Sequence, residues 1–295
     1  MDLKTLGLYI HIPFCLSKCY YCDFYSLTSI SVIPDFLKAL FKEMELYYNR
    51  FDVFDPLAVP GSRSGLNRTP VFQSKDTGTL RVNPEPSTRA FRQAQGPEFN
   101  RGAQAEGQAS AFRPRSQRVD TLYIGGGTPS LLSPKQLKDI LTSVHKNFDL
   151  VSDSEITVET NPADLNQSSI ESMRESGINR INIGVQSFDE KVLAFLSRRH
   201  SAKQAISAIE ASRNAGFQNI GLDLIYGVPG QDMNSWLNTL RQAVAFSPEH
   251  LSCYQLTLGM ETPLGIKFQA GEFLMPGEEL QYEFFTKTSE FLEDA

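Results

Sequence analysis

Apolar positions along the chain fall into short runs, separated by stretches with a helical period. The run LGLYIHI (6–12) is rich in β-formers and predicts a strand. From Pro34 to about Arg50, the residues Phe36, Leu37, Leu40, Phe41, Met44 and Leu46 to Tyr48 recur with a period near 3.6, which predicts a helix. Past residue 118 the alternation is regular. DTLYIGG (120–126), EITVET (155–160), NRINIGV (179–185), NIGLDLIYG (219–227) and HLSCYQLTL (250–258) read as strands. Between them, Ser133-Pro134 opens a helix with a serine cap and a proline in the first position. Helices are also predicted over 166–176, ended by Gly177, over 189–197 and 202–215, stopped by Gly216, over 233–246, closed before Pro248, and over 277–293. Six strands alternating with helices predict an α/β fold, with a parallel sheet buried on both faces. The sheet is either an open doubly wound one or a partial barrel. In both, functional loops lie at the C-terminal ends of the strands. The unusual residues of this chain fall there: 15–22, 125–129, 159–162, Gln186, 223–230 and Thr257.

Composition changes this picture in one place. The chain has 295 residues, 41% hydrophobic and 21% charged, enough to bury a sizeable core. No apolar run reaches the ~18–20 residues of a membrane helix, and the opening MDLKTLGLYI lacks the pattern of a secretion signal, so the expected location is the cytoplasm. The net charge of −6 offers no footprint for a nucleic-acid partner. Residues 60–118, however, carry ten Lys/Arg and four Asp/Glu and contain no Ile, Tyr, Trp, Met or Cys. Such a segment buries too little apolar surface to offset its ordering entropy. The expected organisation is a first βα unit over 1–55, a disordered insertion over 56–118, and five further βα units over 119–295.

Candidate chemistry starts at HIPFCLSKCYYCDFYS (11–26), which holds three of the four cysteines, Cys15, Cys19 and Cys22. In a reducing compartment such clustering argues for metal or redox work rather than disulfides. Three readings of the residues stay open. The spacing i, i+4, i+7 matches one face of a core helix. A zinc site would need a fourth ligand, such as Cys253 or a histidine. A [4Fe–4S] cluster would take the three thiolates and leave one iron free for a ligand bearing an amine and a carboxylate.

The segments LYIHIPFC and KCYYCDF, with YIGGGTPSLL, NRINIGVQSF, DLIYGVPGQ and HLSCYQLT, resemble the radical S-adenosylmethionine (SAM) superfamily. Within it they resemble the coproporphyrinogen III oxidase-like group, and there the HemW-like heme chaperone family. The likeness covers nearly all the chain outside the insertion. It implies a partial (β/α)6 barrel, with Cys15, Cys19 and Cys22 holding a [4Fe–4S] cluster. SAM contacts would come from Tyr9, Tyr21, Gly126, Gly127, Thr128, Glu159, Gln186, Arg198, Asp223 and, through its backbone, Thr257. Arg199 and His200 are expected at the surface or in support, and His11, His145 and His250 as structural histidines. Two branches share these motifs. The oxygen-independent oxidase cleaves SAM reductively and decarboxylates two propionates. The chaperone keeps cluster and SAM but binds heme and passes it to acceptor proteins. The oxidase branch carries a further cysteine two residues after the third, where this chain has Cys22-Asp23-Phe24, the chaperone-like form. The resemblance further implies an electron donor for the cluster, a monomer or dimer, and a fold open to peripheral membrane association. It also implies a smaller C-terminal domain after the barrel. The chain stops at FLEDA, short of it, so a non-functional fragment is a third reading.

Overall fold

The computed structural model of the chain describes residues 5–51, 79–80 and 118–294. Its strands are β1 (Leu6–Ile12), β2 (Thr79–Leu80), β3 (Arg118–Gly126), β4 (Asp149–Thr160), β5 (Arg180–Gln186), β6 (Ile220–Tyr226) and β7 (His250–Gln255). They form one sheet in the order β2-β1-β3-β4-β5-β6-β7, and every pairing is parallel. The six longer strands curl into a half-barrel. The helices are α1 (Ile33–Phe51), α2 (Pro134–Asn147), α3 (Gln167–Glu175), α4 (Glu190–Phe195), α5 (Ala202–Asn214), α6 (Met233–Ala245), α7 (Pro263–Gln269) and α8 (Glu278–Glu293). The α/β class and partial barrel expected from the sequence are those observed. The residues read as a disordered insertion lie outside the described residues, apart from Thr79–Leu80 and Arg118.

Local signals account for most boundaries. Ser133 caps α2 with a full capping box: its hydroxyl accepts from the Gln136 amide, and the Gln136 side chain accepts from the Ser133 amide. Ser201 and Gln204 repeat the device at α5. The short helix α7 escaped the sequence reading, although Thr262-Pro263 is a cap and first-position pair of the same kind.

The expectation of strands buried in apolar residues on both faces needs correcting. In β1, β3, β5, β4 from Glu155 and β6 up to Leu224, apolar residues largely alternate with polar ones or glycine, while Ile225 and Tyr226 leave the end of β6 apolar on both faces. One row of the sheet runs Ile10, Ile124, Val158, Ile181 and Ile220 across five strands in register. These residues are buried against α1, α2, α3, α5, α6 and α8 in one continuous core. Each buried aliphatic side chain of this kind contributes ~1.5–3 kcal/mol. The neighbouring rows, on the opposite, concave face, read Tyr9, Tyr123, Thr157 and Arg180, then Glu159, Asn182 and Gly221, then Gly184, Asp223 and Ser252. A half-barrel needs helices only on its outside, so the inside is free to be polar. No helix among the described residues is long and apolar enough to cross a membrane.

Candidate functional site

The site begins where β1 ends. Phe14 is fully buried and meets Phe36 of α1 edge-on at 5.2 Å, which pins the start of the cysteine loop to the core. The loop closes on itself: the Cys15 amide donates to the Leu27 carbonyl (3.0 Å) and the Leu27 amide to the Pro13 carbonyl (2.7 Å). Residues 15–22 form no helix, so the reading of the thiols as one face of a core helix is set aside. Cys15 is buried, while Cys19 and Cys22 are half-buried. Burial, with Cys19 and Cys15 nearby, pushes the Cys22 thiol up. The described residues contain no ready-made grouping of three His, Cys, Asp or Glu side chains close enough to cage a metal. Cys253 lies on β7 against the apolar core, and burial pushes its thiol up to about 11, as suits a small hydrophobe rather than a ligand.

The glycine loop after β3 packs directly on this loop. The Gly127 amide donates to the Ile12 carbonyl (2.8 Å), and a Cβ at Gly127 would stand 2.6 Å from the Phe14 carbonyl oxygen. Gly126 has φ +113°, and a Cβ there would stand 2.7 Å from the His11 ring. Both positions therefore require glycine. Thr128 donates its hydroxyl to the Cys15 sulfur at 3.4 Å.

Arg198 reaches the same place from the far side of the half-barrel. Its guanidinium donates to the Gly184 carbonyl (2.7 Å), the Cys19 sulfur (3.4 Å) and the Tyr21 hydroxyl (3.5 Å). Burial opposes its charge, but Tyr21 and Cys19 outweigh that and raise its pKa. Burial also raises the Tyr21 hydroxyl, against the pull of Arg198. Gln186 closes β5 with φ +66°, a left-handed conformation unusual outside glycine.

Along the concave face, Glu159 accepts from the Tyr123 hydroxyl and from the Gly126 amide, each at 2.9 Å. Burial holds its carboxyl above the usual range, with Asp223 adding to the effect. Tyr9 stacks on Tyr123 at 5.9 Å, and its hydroxyl meets His11 Nδ1 at 3.3 Å. Asp223 lies in the middle of β6 rather than at its end. It accepts from the Asn182 amide at 2.7 Å, and burial raises it too. Among the described residues neither carboxylate has an ion-pair partner. Thr257 is exposed, two residues past the end of β7.

Thus Cys15, Cys19, Tyr21, Gly127, Thr128, Gln186 and Arg198 gather where the cysteine loop meets the ends of β3 and β5. Tyr9, Glu159 and Asp223 line the concave face beside them. Sequence reading missed Tyr123 and Asn182, the partners of the two acids. Both sit at alternate positions of strands taken as wholly apolar, and the period-two polarity was the signal. Of the two places sequence reading gave His200, at the surface or in support, the 3% exposure rules out the surface. Arg199 pairs with Asp164 at 2.7 Å.

Oε1 of Gln186 and Nε of Arg198 are buried without a hydrogen-bond partner. Each such orphan costs ~1–3 kcal/mol until something satisfies it. Soft thiols on one loop suit an iron–sulfur cluster, and buried acids, an orphaned amide oxygen and an arginine suit a ligand with ammonium, carboxylate and hydroxyl groups. The residues present fit the pair of groups that the resemblance implies.

Residues 91–243 match the model of the radical SAM superfamily, and the chain belongs to that superfamily. Curated relatives narrow the likeness. The chain is 30% identical over 294 residues to the heme chaperone HemW of Escherichia coli and 28% identical over 295 residues to that of Buchnera aphidicola. In each case 99% of this chain is aligned and 60% of the relative, so the chain spans about three-fifths of the length of the relatives it matches. Among solved structures, coproporphyrinogen III oxidase (HemN) from Escherichia coli shares the fold. It has a TM-score of 0.68 and 23% identity, over 98% of this chain and 52% of that one.

Proposed function

We propose that this chain is the cofactor-bearing half-barrel of a heme chaperone, and that it takes part in passing heme to acceptor proteins. Cys15, Cys19 and Cys22 hold a [4Fe–4S] cluster. Gly126, Gly127 and Thr128 receive the methionine end of SAM; the Gly126 and Gly127 amides are already bonded to Glu159 and the Ile12 carbonyl, so the glycines serve by letting the backbone come close. Glu159 and Asp223 take its ammonium and hydroxyl groups, which also offsets the cost of burying two acids. Gln186 and Arg198 fill their orphaned valences on it, Tyr9 and Tyr21 flank it, and Thr257 adds a backbone contact. The cluster, once bound, supplies an electron relay and a free iron site. An electron donor for the cluster is part of this reading.

The observation that carries it is that Arg198, from beyond the end of β5, reaches the Cys19 sulfur while its Nε and Oε1 of Gln186 stay buried without a partner. The chaperone branch rests on the similarity to HemW proteins and on Cys22-Asp23-Phe24, where the oxidase branch has a further cysteine.

The test is a heme titration of the anaerobically reconstituted chain, followed by the Soret band, beside the same chain with a family-type C-terminal domain appended. Saturable, stoichiometric binding by either supports the carrier reading, and binding by the short chain places the heme on the half-barrel. No binding by either, together with decarboxylation of coproporphyrinogen, replaces the carrier with the oxidase.

A further inference from the structure

The segment Ser197-Arg198-Arg199-His200 is used by the reading above only at Arg198. We propose that His200 is a positioning residue, whose imidazole N–H holds the strained turn that aims Gln186 at the cofactor. The inference rests on reading Gln186 and Arg198 as SAM contacts.

The turn is unusual. The Ser187 amide donates back to the Val185 carbonyl at 2.8 Å, two residues away, with Gln186 between them at φ +66°. This is the rare, strained hand of the three-residue turn, and such conformations persist only where surrounding contacts over-determine them. The sheet register also slips here, between Gly184 and Gln186. His200 Nε2 stands 2.8 Å from the same Val185 carbonyl. Both ring nitrogens face oxygens that only accept, Val185 O at 2.8 Å from Nε2 and Asn161 Oδ1 at 3.3 Å from Nδ1; the single hydrogen of the neutral ring goes to the shorter contact, so Nε2 carries it. Arg198 grips the preceding carbonyl, Gly184, at 2.7 Å. Two side chains of one short segment therefore hold two consecutive carbonyls of the turn that ends β5.

That segment is itself held. Ser197 is left-handed at φ +57°. Arg199 bonds both oxygens of Asp164 (2.7 and 2.8 Å), and Asp164 accepts from Ser130 (3.2 Å). Ser130 accepts from the Asn161 amide (3.1 Å), and Asn161 Oδ1, which accepts from the Ala163 amide (3.0 Å), lies 3.3 Å from His200 Nδ1. The contacts tie the ends of β3, β4 and β5 together behind the site. Burial, with Arg198 and Arg199 nearby, holds His200 neutral down to about 4, so the strut is unchanged across the physiological range.

The experiment compares His200→Met, which keeps the volume and removes the donor, with His200→Gln, which keeps a donor. Cluster absorbance should survive in both. SAM affinity should fall about tenfold in the Met variant, the loss expected of one hydrogen bond, and recover in the Gln variant. Combined with Gln186→Ala, His200→Met should cost nothing further, because it acts through Gln186. Hydrogen exchange of residues 184–189 in the cofactor-free protein should quicken in the Met variant alone. Independent penalties, or unchanged affinity with unchanged exchange, overturn the proposal. If the wild type binds no SAM, the cofactor reading falls and the exchange comparison still decides the strut. Nitrogen NMR of wild-type His200 needs neither variant nor ligand: the Nε2–H tautomer supports the proposal and the Nδ1–H tautomer overturns it.

Discussion

The two faces of the curled sheet are built from the same strands by opposite rules. On the convex face Ile10, Ile12, Leu122, Ile124, Val158, Ile181, Ile183, Leu222 and Leu224 are all 2% exposed or less and pack under helices. On the concave face the alternate residues are Tyr9, Tyr123, Glu159, Asn182 and Asp223, held by a sparse set of hydrogen bonds with two acids raised by burial. Stability is concentrated on one face and unsatisfied chemistry on the other, at separations of a single residue. A parallel sheet whose described crossovers carry their helices to the outside permits this division.

Substitutions on the two faces should separate stability from binding. The largest effect is expected at the cysteine loop. Cys15→Ser, Cys19→Ser or Cys22→Ser should each abolish iron–sulfur absorbance after reconstitution while circular dichroism reports an intact fold. An undiminished cluster in all three would remove the site. On the convex face, Leu222→Ala should cost about 2–5 kcal/mol in urea unfolding. SAM affinity of the folded fraction should stay unchanged, since the side chain points away from the site.

A pH experiment sharpens the comparison at His200. Unfolded, a histidine takes its proton near 6.5, whereas folded His200 does so only near 4. Between those values the unfolded chain holds the extra proton, so stability falls as pH falls through that window, by up to about 3 kcal/mol. Unfolding of wild type and His200→Gln at about pH 7 and about pH 4.5 isolates this contribution. Equal pH dependence in the two proteins would refute it. The smallest effect on the fold should come from Asp223→Asn. The amide keeps the bond from Asn182 and removes a charge that burial disfavours. Cofactor-free stability should therefore change by less than about 1 kcal/mol, or rise, while SAM affinity drops about tenfold. A large loss of stability with no loss of affinity would assign Asp223 to the core.

Much of this was readable along the chain. Periodicity and caps are local, so helix order and most boundaries follow from them: the Ser133-Pro134 start of α2 is where the sequence puts it. The thiol spacing and the Gly125–Thr128 run are equally local, because their chemistry lies in neighbouring residues. By contrast, Arg198 meets Cys19 across 179 residues of chain, and Asn182 meets Asp223 across 41. Neither pairing has a trace in a window of ten or twenty residues.

What the sequence by itself determined is therefore the list of elements, their order, and the donors carried on each loop. Only the tertiary structure decided which alternate residues face inward, that His200 is buried against a strand end rather than set at the surface, and that Gln186 Oε1 and Arg198 Nε are buried without partners. The reason is register. A parallel sheet aligns strands through long crossovers, and a shift of one residue would exchange the two faces entirely. Local periodicity specifies the alternation within each strand, and packing of the assembled sheet against its helices chooses the side.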